Sequence, residues 1–329
     1  MIFIDRIYGV MDVKETVFEK IVLSQTFQRL HGIYMGCWAP GNPFVTTPDT
    51  RYEHSIGVFM LLRKYNASIP EQIAGLIHDV SHTAFSHLSD RLFGTATSCK
   101  QASYQDSIHK EFVKNSEIAS IIKSENFDLD YILDDTNFPL KEKKLPDICA
   151  DRIDYSLRML AHMKQYGMLL EYDEQRLSDS FIATDSGFIM KNLHVARQFT
   201  KLFNTEDETV CSCFDNVFYE SALKDICIEA LNKNILTKQD FFALSDLEII
   251  QKLSTANIDL AILYKKHPKK YTATNHMAYK TEYKKLRRID PAFIDAHNNI
   301  VRLSNVDKSY AQLLSNTPKY IEYKIKQIK

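Results

Sequence analysis

Apolar residues recur at helical spacing through most of the chain. From Val13 through FEKIVLSQTFQRLHGI they return every three to four positions, the period of a helix with one buried face. The preceding residues, 1–12, read as a short strand or extended arm. CWAPGNPFVTTPDT, at 37–50, carries the Gly and Pro that interrupt helices and predicts a loop. RYEHSIGVFMLLRKY predicts a helix over 51–65. Pro70 sits where a first helical turn tolerates proline, so PEQIAGLIHDVSHTAF predicts the next helix over 70–85. Further helical patterns cover 102–124, 146–166, 190–204 and 208–233. After about residue 240 the pattern weakens, and RRIDPAFI and KYIEYKIKQIK alternate as strands do. The expected fold is mostly α, with a helical domain over 1–240 and a smaller mixed α/β appendage over 241–329.

Composition agrees with that picture. In 329 residues, 45% are apolar and 25% charged, enough to bury a sizeable core. Nine Gly and nine Pro are few for this length, which favours long helices over a turn-rich β fold. Lys plus Arg (41) nearly cancels Asp plus Glu (42), so a strongly basic nucleic-acid binder is excluded. A local basic stretch remains at 264–288, where Glu282 is the only acid among nine Lys and Arg. A charge run is usually a solvated face; nucleic acid or a nucleotide effector is the alternative partner for it. The six cysteines form no CxxC pair and read as reduced thiols, which implies a cytoplasmic protein. No window approaches the roughly eighteen apolar residues of a spanning helix, so no membrane partner is expected.

Four residues change the picture most: His54, the pair His78–Asp79, and Asp151. Each lies in a helical, largely apolar stretch, where an unpartnered charge costs several kcal/mol and normally finds a cation, a metal or strong donors. Two imidazoles and two carboxylates suit a divalent transition metal such as Mn, Fe, Co, Ni or Zn. Taken alone, an HD dipeptide arises easily by chance, and a helical His is often a hydrogen-bonded core residue. His82, four residues after His78, shares its face if the helix continues. Asp147, Asp151, Asp154 and Arg158 recur at spacings of four, three and four and read as one polar helix face, with Asp154–Arg158 also readable as an ordinary i,i+4 ion pair.

The ordered stretches TFQRL (26–30), RYEHSIGV (51–58), AGLIHDVSHTAFSH (74–87) and DICADRIDY (147–155) resemble the HD-domain phosphohydrolase superfamily, named for this H…HD…D metal set. In particular the chain looks like the deoxynucleoside triphosphate triphosphohydrolase branch, and KKLRRIDP (284–291) resembles a late motif of it. The resemblance implies a helical HD-domain core whose metal ligands are His54, His78, Asp79 and Asp151. It implies catalytic roles for His82, His87 and His109, with Asp90 orienting a catalytic His; capping of a helix end is an equally simple role for His109. Arg51, Arg152 and Tyr155 match positions that contact substrate phosphates. Also implied are attack by metal-activated water on the α-phosphate, a second divalent ion (Mg) bridging the phosphates, and a homo-oligomer.

The sugar-reading positions depart from that branch. A Gln-Leu pair aligns with Met35 and Gly36, a sugar-contacting Asp with Met159, and the Tyr of a VYxH-like motif with Phe203. HDVSHTAFSH places Ser81, Thr83 and Ala84 where the branch has two glycines and a proline. These differences imply another nucleotide, a looser specificity or another phosphate ester. The leading expectation is a dNTP triphosphohydrolase. The alternatives are a nucleotidase or phosphodiesterase on another small phosphate ester, and a nucleotide-binding regulator without turnover.

Overall fold

The computed structural model describes residues 1–36, 49–94, 104–165, 167–260, 271–273 and 280–327. The molecule is mostly helical, with a mixed α/β C-terminal part. Its centre is the helix Arg51–Lys64, buried on both sides from His54 to Leu62 while Glu53 and the Arg63–Lys64 end reach solvent. Val58, Leu61 and Leu62 enter one core with Ile153, Leu157 and Leu160. Ile56, Phe59 and Met60 enter a second core with Phe18, Ile73 and Leu76. A helix hydrophobic all round belongs in an interior, and His54 is carried there with it. Each fully buried Leu, Ile or Phe along it contributes about 1.5–3 kcal/mol.

The start of this helix is fixed by a capping box: the Thr50 hydroxyl accepts from Glu53 N–H while the Glu53 carboxylate accepts from Thr50 N–H. The Tyr34–Thr50 bridge and the Met35 N–H to Asp49 carbonyl bond (2.8 Å) hold the approach to it. The next helix, Ile69–Ile77, starts with Pro70 in its first turn as expected. It does not run to residue 85. It stops at Ile77, and 78–87 pass through turns with Phe85 and Ser86 at φ of 61° and 51°. Long-range contacts compete with helix propagation here. Arg29 of the TFQRL stretch donates to the Val80 and His82 carbonyls, and the buried Asp246 carboxylate accepts from Phe85 N–H at 2.7 Å.

The helix Ala150–Gln165 packs against the central helix and against Leu193–Glu206. Asp147 precedes it, pairing with Arg302 at 2.5 Å, so it is not on the face of Asp151 and Asp154. The predicted arm at 1–12 is an antiparallel hairpin, Ile2–Asp5 with Gly9–Asp12. A four-stranded sheet orders Phe181–Thr184, Gly187–Met190, Ala292–Ile294 and Ile300–Arg302, thereby joining residues on both sides of 240. The expected strand of KYIEYKIKQIK is Tyr320–Gln327, central in a three-stranded sheet between Tyr271–Ala273 and Lys280–Lys285. Of the basic stretch, 264–270 and 274–279 lie outside the described residues. Within it Lys284 pairs with Glu220 at 2.8 Å, and Arg288 pairs with Asp207 at 3.0 Å and with Glu208. Among the described residues no helix is long and apolar enough to cross a membrane.

Candidate metal centre

Three elements converge on one point. His54 comes from the central helix, His78 and Asp79 follow the end of Ile69–Ile77, and Asp151 opens Ala150–Gln165. One donor atom each from His54, His78 and Asp151 lie within 4.8 Å of one another. Asp79 closes the set, its two oxygens 3.3 Å from His78 Nε2 and 3.7 Å from His54 Nε2.

Both imidazoles are aimed by their second nitrogen. His54 Nδ1 is 2.7 Å from Asp154 Oδ2, and His78 Nδ1 is 2.7 Å from the Gly75 carbonyl. A buried carboxylate and a carbonyl each require the proton on Nδ1, which leaves both Nε2 lone pairs facing inward, 3.2 Å apart. Asp154 is itself held by Arg158 at 2.7 Å, and Arg158 also binds Asp5 of the N-terminal hairpin at 2.7 Å. The expected i,i+4 pair is thus present, but as part of a buried network that orients His54. Gly57 makes the approach possible: a Cβ there would stand 2.0 Å from Arg158 Nη2 and 2.1 Å from Asp154 Oδ1.

The electrostatics show what the cluster lacks. Burial opposes ionisation of Asp79, but Arg51, His78 and His82 outweigh it and hold the carboxyl well below its usual range. Burial is likewise outweighed at Asp151 by its close approach to His54 and His78, which holds the carboxyl well below its usual range. Desolvation pulls His54 down, yet Asp151 and Asp154 win and lift it to about 9. A fully buried imidazole that captures a proton so readily marks a place short of positive charge. Imidazole and carboxylate donors with inward lone pairs fit a divalent cation, which supplies that charge.

The other predicted residues fall into two groups. His82 is buried and its Nε2 lies 3.3 Å from Asp79 Oδ1, while its Nδ1 has no partner among the described residues. Burial, reinforced by Arg51, pushes it down to about 3, so it is a neutral imidazole oriented on Asp79. His87 is half exposed, 3.3 Å from Asp90 through Nδ1 and 3.4 Å from Arg51 through Nε2. Its ring meets that of His82 edge-on at 5.1 Å. Arg51 binds Asp79 at 2.7 Å and Ser86 at 3.0 Å, so it braces a predicted metal ligand. His109 bonds Ser81 at 2.9 Å and does not reach the donor cluster directly. Arg152 bonds the Asp147 carbonyl, Cys149 and Glu142. Glu142, Cys149 and Asp151 also converge, but the Arg152 guanidinium already serves Glu142 and Cys149, and burial drives the Cys149 thiol far up. Tyr155 lies four residues after Asp151 on the same helix, half-buried, its ring 6.2 Å from Phe203.

Some site residues were not foreseen as such. Asp154 has a signal, its place on the polar face with Asp151 or as the i,i+4 partner of Arg158, but its bond to His54 appears only in the fold. Arg29 and Asp246, which hold the turns that carry Asp79, His82 and His87, are joined only in space. So is Glu142.

An HD-domain family model matches residues 51–159. The chain is 32% identical over 299 residues to the Bacillus subtilis protein YdhJ, covering 88% of both chains. It is also 32% identical over 215 residues to the metal-dependent phosphohydrolase cns2 of Cordyceps militaris, covering 63% of this chain and 60% of that one. Among solved structures, a phosphohydrolase from Bacteroides thetaiotaomicron shares the fold with a TM-score of 0.72 at 17% identity, covering 98% of this chain and 100% of that one.

Proposed function

As the chain belongs to the HD-domain superfamily of metal-dependent phosphohydrolases, we propose that it cleaves a phosphate bond of a nucleotide, with conversion of a deoxynucleoside triphosphate to deoxynucleoside and triphosphate as the leading reaction. The observation that carries this is the convergence of His54 Nε2, His78 Nε2 and an Asp151 oxygen, closed by the Arg51-braced Asp79. His54, His78, Asp79 and Asp151 would hold a divalent ion, which would supply Lewis acidity to activate water near neutral pH and draw charge from a phosphoryl oxygen.

The remaining work falls to the chain's own side chains. Asp154 and the Gly75 carbonyl keep the two imidazoles in the ligating tautomer. His82, held toward its neutral form by burial, positions Asp79. His87 is the general acid: as the imidazolium, with Nδ1–H donating to Asp90, it would turn its Nε2–H from Arg51, which can only donate to that nitrogen, and pass the proton to the departing oxygen. Arg51 and Tyr155 border the path of the phosphate.

A second reading, a phosphomonoesterase, is favoured by one specific observation. Arg51 and Arg152, the cations that match triphosphate-binding positions, are committed here to Asp79 and Glu142. A triphosphate carries more charge than such a site neutralises; a single phosphate does not. Incubating nucleotides and phosphate esters separately with Mn, Co, Ni, Mg and Zn and resolving products by chromatography decides between them. Released triphosphate supports the first reading and orthophosphate the second. Binding without product under every metal contradicts both.

A further inference from the structure

Residues from far along the chain act on Tyr155 and Asp151. The strand Lys280–Lys285 is followed by a segment tied down residue by residue. Leu286 N–H donates to the Lys319 carbonyl at 3.1 Å, Arg287 N–H to Asp207 at 3.2 Å, and Asp290 N–H to the Pro146 carbonyl at 2.8 Å. The Arg288 guanidinium is taken up by Asp207 and Glu208. Against this background Arg287 stands out. Its backbone is fixed, yet among the described residues its guanidinium has no hydrogen-bond or ion-pair partner. Its side chain reaches solvent, while Tyr155, Cys211, Asp207 and the metal-cluster residue Asp151 form its electrostatic surroundings. Arg287 thus combines solvent access with a backbone fixed beside Asp207.

A second unsatisfied group faces the same place. Glu206 is 4% exposed; the Ser156 hydroxyl bears on its carboxyl as a hydrogen-bond donor, yet neither its Oε2 nor that hydroxyl has a well-formed partner among the described residues. It shares Arg287, Asp207 and Asp151 as electrostatic neighbours, and burial lifts it to about 8. Buried polar atoms are rarely left unpaired without a ligand, water or ion to take them. Glu206 and Arg287 do not pair with each other; Arg287 N–H is bonded to Asp207, the residue after Glu206, so an open acceptor and an open donor fork belong to one neighbourhood, and Asp151 acts on both electrostatically. A molecule that offers acceptors to one and a donor to the other satisfies both.

We infer that Arg287 is a substrate-binding residue of this site, its guanidinium holding phosphate oxygens while Glu206 accepts a hydrogen bond from a hydroxyl of the same molecule. This rests on the hydrolase function proposed above and narrows the substrate to a phosphate ester with a free hydroxyl, as in a sugar phosphate or nucleotide. The planar fork of arginine matches two phosphate oxygens at once, which a lysine ammonium does not. The site thus recruits across the fold a cation for which Arg51 and Arg152, already paired, are not free.

The test is calorimetric titration of the full-length, Mn-loaded protein with inorganic phosphate and, separately, ribose 5-phosphate. Arg287→Gln is expected to weaken both at least about tenfold, with Arg287→Lys intermediate. Glu206→Leu is expected to weaken ribose 5-phosphate and leave inorganic phosphate unchanged. Thermal melts of each variant separate lost binding from lost folding. Wild-type affinity in folded Arg287→Gln, or a wild type that binds neither probe, overturns the inference. Should the wild type turn over no ester while Arg287→Gln still loses phosphate, hydrolysis is refuted and the subsite stands. Turnover with an unchanged KM in Arg287→Gln gives the reverse outcome.

Discussion

His54 Nδ1 lies 2.7 Å from Asp154 Oδ2, and this contact decides which nitrogen of His54 is offered to the metal cluster. Asp154 takes the Nδ1 proton, so Nε2 points at His78 and Asp151 with its lone pair free. The same oxygen of Asp154 also accepts from Arg158, which reaches on to the N-terminal hairpin through Asp5. Orientation of a predicted metal ligand is therefore coupled to docking of the first residues of the chain.

Replacing Asp154 by Ala is expected to weaken divalent-metal affinity about 10–100-fold, the usual effect of losing the partner of a ligating His. Stability should fall by about 3–5 kcal/mol as well, because the buried Arg158 loses a counter-charge. Metal titration and urea unfolding measure the two effects separately. Unchanged affinity in a folded Asp154→Ala protein would remove Asp154 from the site.

Gly57→Ala introduces one methyl group where the Asp154–Arg158 pair already stands within about 2 Å of the Cβ position. Helix propensity alone favours Ala at this position by about 1 kcal/mol. Steric displacement of a buried ion pair outweighs it, so the expected net result is destabilisation by ~1–3 kcal/mol and a weaker metal site. Denaturant unfolding that shows a more stable variant with intact metal binding would contradict this packing.

How much could be read from the chain follows the range of the interactions. His54, His78, Asp79 and Asp151 stood out because ionisable groups interrupt apolar helical stretches at ordered intervals. The central helix was visible for the same reason, as was the strand at 320–327 from its alternation. The end of the helix at Ile77 was not, because IHDVSH is locally compatible with continuing. Only when Arg29 captures the Val80 and His82 carbonyls and Asp246 captures Phe85 N–H does turning become the better solution. Arg287 lies in the basic stretch and in KKLRRIDP, so its segment is marked in the sequence, but its link to Glu206 is not: about eighty residues separate them, and folding brings Arg287 N–H onto Asp207 beside Glu206.

His87→Ala is expected to lower kcat by about 10²–10⁴-fold while leaving metal content at the wild-type level, as removal of a general acid does. Asp90→Asn should produce a smaller loss in the same direction. His82→Ala differs, weakening metal binding through Asp79. Steady-state kinetics together with metal analysis of the three variants checks this division. Full activity in His87→Ala would exclude it as the acid.

Glu206 adds a pH dependence of known sign. Burial raises its carboxyl to about 8 in the folded chain, against an ordinary value of 4.5. The unfolded chain therefore releases this proton first as pH rises. The stabilising contribution is complete below about pH 4.5 and is lost progressively until about pH 8, with a slope of up to about 1.4 kcal/mol per pH unit. Urea unfolding at pH 5.5 and 8.5 should show a smaller difference for Glu206→Leu than for the wild type. An equal difference would mean that Glu206 ionises normally.

The most direct measurement is Mn titration of chelator-treated wild-type protein beside Asp151→Ala, followed by product analysis on the nucleotide panel. The wild type should bind the ion through His54, His78, Asp79 and Asp151 and release product only when loaded. Asp151→Ala should do neither, despite remaining folded by its melting curve. Equal metal binding and turnover by the two proteins would contradict a metal centre at this cluster.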